Sequence, residues 1–179
     1  GQRLAEWCGK GPYLEEDIAV INIALDQLGQ ANNFYNLAAN LFNDGRTADD
    51  FAMLRVEKEY LNAQLVDLPT GDYAHTIMKA YFFAVYQNLL YENLSNSADE
   101  ELRAIAQKSL KEVKYHYTHT ETWMRIFAQG TEESRKRIEA ALENLWEYTG
   151  GLFDEVEEEE NLVALNLIPA SKQLYEEWK

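Results

Sequence analysis

The sequence predicts an all-α protein built as an antiparallel bundle of long helices, and three observations carry that prediction. Its three prolines, Pro12, Pro69 and Pro169, leave two long proline-free stretches, as continuous helices require. Apolar residues recur at three- and four-residue steps rather than in strand-like alternation. Five sparse turn signals divide the chain: Asn43-Asp44-Gly45, Pro69-Thr70-Gly71, Ser95-Asn96-Ser97, Gly130-Thr131 and Gly150-Gly151. Long helices joined by short loops pack antiparallel to their neighbours, which makes the bundle up-and-down.

The first predicted helix, 12–43, sets Leu14, Ile18, Ile21, Leu25, Leu28, Tyr35 and Phe42 on one stripe and runs about 45 Å at ~1.5 Å per residue. A second helix is expected over 48–68, opened by Thr47 and Asp50 at the spacing of a capping box. The third spans 72–95. A fourth, 98–129, has Ser97 and Glu100 at the same capping spacing and carries Leu102, Ile105, Val113, Trp123 and Phe127. The fifth, 132–154, follows the N-cap candidate Thr131 and carries Ile138, Leu142, Leu145 and Leu152. These helices make one domain, 1–154. Beyond it the acidic run from Asp154 to Glu160 reads as a solvated linker, so 155–179 is an extension ending in a short helix with Leu174 and Trp178.

With 179 residues, 46% hydrophobic and 26% charged, the composition is that of one globular domain able to bury a core without disulfide or metal. Cys8 is the only cysteine, which suits a reducing compartment. Thirty-one acidic against sixteen basic residues give a formal charge of −15, which repels nucleic acid and anionic membranes. No spanning segment or signal peptide is evident, and a cytoplasmic location is expected.

Long antiparallel bundles commonly host two metal ions held by a Glu from each of two helices and a Glu-x-x-His pair from each of the other two. Asp26 interrupts the apolar run of the first helix. Glu57 and Glu59 follow on the second, but Asn62 stands where an imidazole is needed three residues on. The third helix has no Asp or Glu from Tyr73 to Tyr91. On the fourth, Tyr115 lies three residues after Glu112, while Glu112, His116 and His119 share one face by their four- and three-residue steps. That cluster either binds a single metal or forms a hydrogen-bonded structural network. If the helices pack in register, Asp26, Glu57 or Glu59, Tyr86 and the Glu112, Tyr115, His116 group reach one level, with Tyr86, Tyr115, His116 or Asn62 left to hydrogen-bond the remaining acids. Lys108, Lys111 and Lys114 form a basic stripe and Arg135, Lys136 and Arg137 a cluster, either solvated or a dock for an acidic partner or a phosphorylated cofactor such as coenzyme A.

The strings RLAEWCGKGPYLEEDIAVINIALDQLGQANNFYNLAA, DYAHTIMKAYFF and KSLKEVKYHY, in order across residues 3–117, resemble the structural C subunits of the bacterial phenylacetyl-CoA 1,2-epoxidases, which are multicomponent monooxygenases. Gly130-Thr131, Trp146 and the LFD at Leu152 to Asp154 continue the likeness, although the chain ends where family members continue. The resemblance implies a ferritin-like bundle that performs no oxygen chemistry itself. It also implies a homologous partner subunit that carries a di-iron centre and binds the CoA thioester, other epoxidase subunits in a cytoplasmic complex, and no cofactor in this chain. Asp26, Glu57, Glu59, Asn62, Tyr86, Glu112, Tyr115, His116 and His119 are then residues of a degenerate site, with no catalytic residue carried over. Two other readings stay open: a di-iron carboxylate enzyme or iron-storage protein using Asp26, Glu57, Glu59, Glu112, His116 and His119, and a free-standing helical binding module.

Overall fold

A computed structural model describes residues 1–179. The protein is all-α: helices α1 (Gln2–Ala5), α2 (Leu14–Phe42), α3 (Ala48–Met53), α4 (Gln64–Asp67), α5 (Tyr73–Leu94), α6 (Glu100–Gln129), α7 (Glu132–Trp146), α8 (Glu159–Ala164) and α9 (Ser171–Trp178), with 3-10 turns at Glu57–Glu59 and Gly150–Phe153 and no strand. This is the class the periodicity predicts, in keeping with a ferritin-like bundle. The chain forms two compact units, Gly1–Asn62 and Ala63–Lys179.

In the first unit α2 is the spine, and α1 and α3 pack on it. The chain reverses ahead of α2 because the Asp17 carboxylate accepts the backbone N–H groups of Gly9, Lys10 and Gly11 at 3.0–3.2 Å. At the other end Asn43 takes the left-handed conformation that closes a helix, with φ 46°. The predicted stripe is not what α2 buries. Leu14, Ile18, Leu25, Leu28 and Phe42 are exposed, whereas Val20, Ile23, Ala24 and Gln30 are buried. The run IAVINIAL is apolar around most of the helix, so two faces satisfy the same spacing. Packing chose between them: α1, with Leu4 buried, lies on α2.

The predicted helix 48–68 is broken. The Thr47–Asp50 capping box is present and starts α3, but α3 stops at Met53, a 3-10 turn follows, and α4 is a single turn. Leu54 and Leu61 are 73% and 89% exposed, so the segment gains no apolar burial from staying helical. Glu59 folds back to accept the N–H of Val56 at 2.8 Å, which locks the turn.

In the second unit α5 and α6 lie along one another and α7 packs on both. The core joins Leu65 of α4, Ala74, Met78 and Phe82 of α5, Ile138, Ala141 and Leu145 of α7, and Leu152. Asp72 caps α5 by accepting the N–H of His75 at 2.9 Å. At α6 the cap is Asp99, which accepts the N–H of Leu102 at 2.7 Å, and not the predicted Ser97. The Ser97 hydroxyl is taken up instead by Leu167 O at 2.8 Å, tying the α5–α6 loop to the tail. Thr131 caps α7 as predicted, accepting from Ser134 N–H. That helix ends at Trp146 rather than 154, and Gly150–Phe153 continues as a 3-10 turn. The tail, α8 and α9, belongs to this unit. Trp178 donates its indole N–H to Phe82 O at 3.2 Å and packs with Phe82, Trp146 and Phe153 at ring distances of 5.6–5.8 Å.

Candidate functional site

The residues that could carry chemistry in the second unit lie between α5 and α6. On α6 the four- and three-residue steps bring Glu112, His116 and His119 to one side: His116 is 1% exposed, while Glu112 and His119 are half-buried. Tyr115 points out, half exposed, with its ring stacked on His119 at 6.0 Å and edge-on to His116 at 6.3 Å. One turn further, the buried Thr120 hydroxyl donates to His116 O at 2.8 Å.

The facing side of α5 offers Ala84, Gln87 and Tyr91, all buried, and no carboxylate. Burial is the main cause that pushes the Tyr91 phenol up to about 12, with the charges of Tyr86 and Glu112 adding to it, while a hydrogen bond from Gln87 works the other way. Tyr91 is therefore a neutral donor at any physiological pH, and Glu112 is close enough for its charge to be felt there. Tyr86 is also near enough for its charge to be felt at Tyr91. Its ring meets Phe153 edge-on at 5.3 Å, and burial together with the charge of Glu159 raises its phenol.

The other predicted residues belong to the first unit. Asp26 is half-buried on α2. Glu57 and Glu59 are exposed on the 3-10 turn rather than half-buried on a helix, and Glu59 is occupied with the N–H of Val56. Asn62 follows that turn, also exposed, so the i, i+3 relation that placed it opposite Glu59 on a helix face does not exist.

This donor set does not fit a di-metal centre. Two divalent ions require several anionic ligands, α5 supplies none, and α6 brings one carboxylate with two imidazoles. No three His, Cys, Asp or Glu side chains converge closely enough to hold a metal ion. What the arrangement can do is donate and accept hydrogen bonds in a packed interior.

Two polar features escaped the reading of the sequence. Lys79 is 6% exposed and donates from Nζ to Leu68 O at 2.7 Å and Pro69 O at 3.1 Å, closing the end of α4; its lone charge inside HTIMKAYFF was the available signal. His75 joins α5 to α7. Its Nδ1 meets Asp72 Oδ1 at 2.7 Å and its Nε2 meets the Asn144 amide nitrogen at 3.1 Å. The carboxylate only accepts, so Nδ1 carries the proton and Nε2 receives the amide N–H.

The likeness to known proteins runs through the whole chain. The family model described as phenylacetic acid catabolic protein matches residues 1–179. The C subunit of the 1,2-phenylacetyl-CoA epoxidase of Escherichia coli (strain K12) is 41% identical over 153 residues, which is 86% of this chain and 61% of that protein. The chain thus spans about three-fifths of the length of this relative. No helix is long and apolar enough to cross a membrane. A match over every residue, on an all-helical framework with the capped helices described above, makes this chain a member of the phenylacetic acid catabolic protein family.

Proposed function

We propose that the chain is a non-catalytic structural subunit of a phenylacetyl-CoA epoxidase complex, pairing with a homologous di-iron catalytic subunit in the cytoplasmic, aerobic breakdown of phenylacetate. The observation that carries this reading is the composition of the α5–α6 interior. A relative named as an epoxidase subunit is 41% identical, yet α5 presents Ala84, Gln87 and Tyr91 where a bundle enzyme needs carboxylates. A subunit with this interior supplies shape and contact surface, and the oxygen chemistry falls to the partner's iron.

The test is co-expression with the other epoxidase subunits from the same source. Co-purification, with iron tracking only the partner, supports the reading, and removal of this chain should abolish or sharply lower epoxidation of phenylacetyl-CoA. Anaerobic loading of the isolated chain with ferrous iron is the opposing arm. About two irons per chain surviving gel filtration, the stoichiometry of a two-metal carboxylate site, would overturn the structural role and promote Glu112 and His116 to ligands.

A further inference from the structure

Half of the cations on α6 and α7 are paired within their own helix. Arg103 pairs with Glu100, Arg125 with Glu121, Lys136 with Glu132 and Arg137 with Glu133, at 2.7–3.6 Å and one turn away. The other half are Arg135 and the row Lys108, Lys111 and Lys114. All three lysines are exposed on α6, and the sequence withholds their partners. Four residues before them stand Ala104, Gln107 and Leu110; four residues after Lys111 and Lys114 stand Tyr115 and Thr118. Glu112, four after Lys108, is half-buried and its charge is felt at Tyr91. The nearest neighbours of these lysines at three-residue spacing are one another. Like charges so placed destabilise a helix, and a chain with 31 acidic residues had ample means to relieve the strain.

A local cost kept in place points to something outside the helix that offsets it. We propose that this outward face of α6, Lys108, Lys111 and Lys114 with the half-exposed Tyr115 beside them, docks an acidic protein surface of another subunit in the epoxidase assembly. The inference rests on the functional reading above. Charge complementarity selects the occupant. The lysines are spread over about 9 Å of straight helix at ~1.5 Å per residue, a row that matches successive carboxylates on an acidic helix or strand. They do not converge on one point as a phosphate ligand demands, and neither the cavity at Asn93–Gln173 nor that at Asp44–Glu59 includes them. A second copy is disfavoured because each chain brings a formal charge of −15. Tyr115 adds the aromatic contact with a polar tip that such interfaces favour.

The test is Lys111→Glu, which turns two repulsions into two attractions. In the isolated chain it should raise the melting temperature by about one to three degrees. In the complex it should weaken association with the co-expressed epoxidase subunits about tenfold and flatten the salt dependence of binding. Opposite signs in the two measurements are the signature of a cost retained for docking. The neutral triple variant Lys108→Gln, Lys111→Gln, Lys114→Gln should lose affinity as well, with unchanged helicity by circular dichroism. If the wild-type chain binds those subunits and both variants bind within about twofold of it, the docking surface is refuted while the subunit reading stands. If the wild-type chain binds none of them at any salt concentration, the subunit reading itself falls and takes this surface with it.

Discussion

At Gly71 and Asp72 a turn, a cap and an ion pair meet in two residues. Gly71 has φ +66°, and a Cβ there would sit 2.9 Å from the Cβ of His75. Gly71→Ala should therefore cost about 1–2 kcal/mol from the left-handed backbone alone, with crowding added, as read by urea unfolding. Burial works to raise the Asp72 carboxyl, but the hydrogen bonds from the His75 backbone and ring, with the charge of Arg137, outweigh it and hold the group below its usual value. A depressed carboxyl contributes stability that is present above its unfolded pKa and is lost as pH falls through the folded one. Asp72→Ala should thus cost about 1 kcal/mol near neutrality, mostly as a lost helix cap, with the gap to wild type closing at acid pH. Tyr91 has the opposite sign. Its phenol, pushed up to about 12 chiefly by burial, favours the folded state below pH ~10, and that advantage is lost as pH rises from there to the folded value. In an alkaline ultraviolet titration the last phenol to ionise should be that of Tyr91, and Tyr91→Phe should remove that final step and flatten the alkaline loss of stability.

Among the elements, α9 shows how little is needed to fix a short helix when its anchors are aromatic. Eight residues are marginal as a helix in water. Leu174 is buried, Trp178 reaches the carbonyl of Phe82, and at the opposite end Glu159 accepts both the N–H and the hydroxyl of Ser171 at 2.7 Å. Trp178→Ala should cost about 2 kcal/mol, on the low side for a Trp because the ring keeps some exposure. It should also release α9 to limited chymotrypsin cleavage at Tyr175 while leaving the helicity of α5–α7 intact. A variant that resists digestion as wild type does would show that Leu174 and the Glu159 latch hold the helix without the indole.

For the molecule as a whole, the two units differ in how they are held. The second closes a core from four elements and the tail, whereas the first builds on one long helix and leaves Leu14, Ile18, Leu25 and Leu28 exposed. Between α3 and α4 the chain is mostly exposed, with one 3-10 turn and the bonds of Arg55 to Tyr35 and of Tyr60 to Ala52 O to hold it. Limited trypsin digestion should therefore cut first after Lys58, which is exposed, before any site within α5 or α6. First cuts at Lys108 or Lys111 would show instead that α6 opens more readily than this connection.

The helices over 14–42, 73–94, 100–129 and 132–146 were legible in the chain because their signals are local: no proline, turn residues between them, apolar steps of three and four and, for the last, the capping Thr131. The missing carboxylates of α5 and the lysine row of α6 were legible for the same reason, since composition along one helix needs no neighbour. What only tertiary structure decided was which face each helix buries and where a helix stops for want of a partner. The stripe of α2 and the fracture of 48–68 are the two cases. Several faces of an apolar helix satisfy one period, and propensity alone holds a marginal segment too weakly to resist a competing turn, so burial against other elements makes the choice.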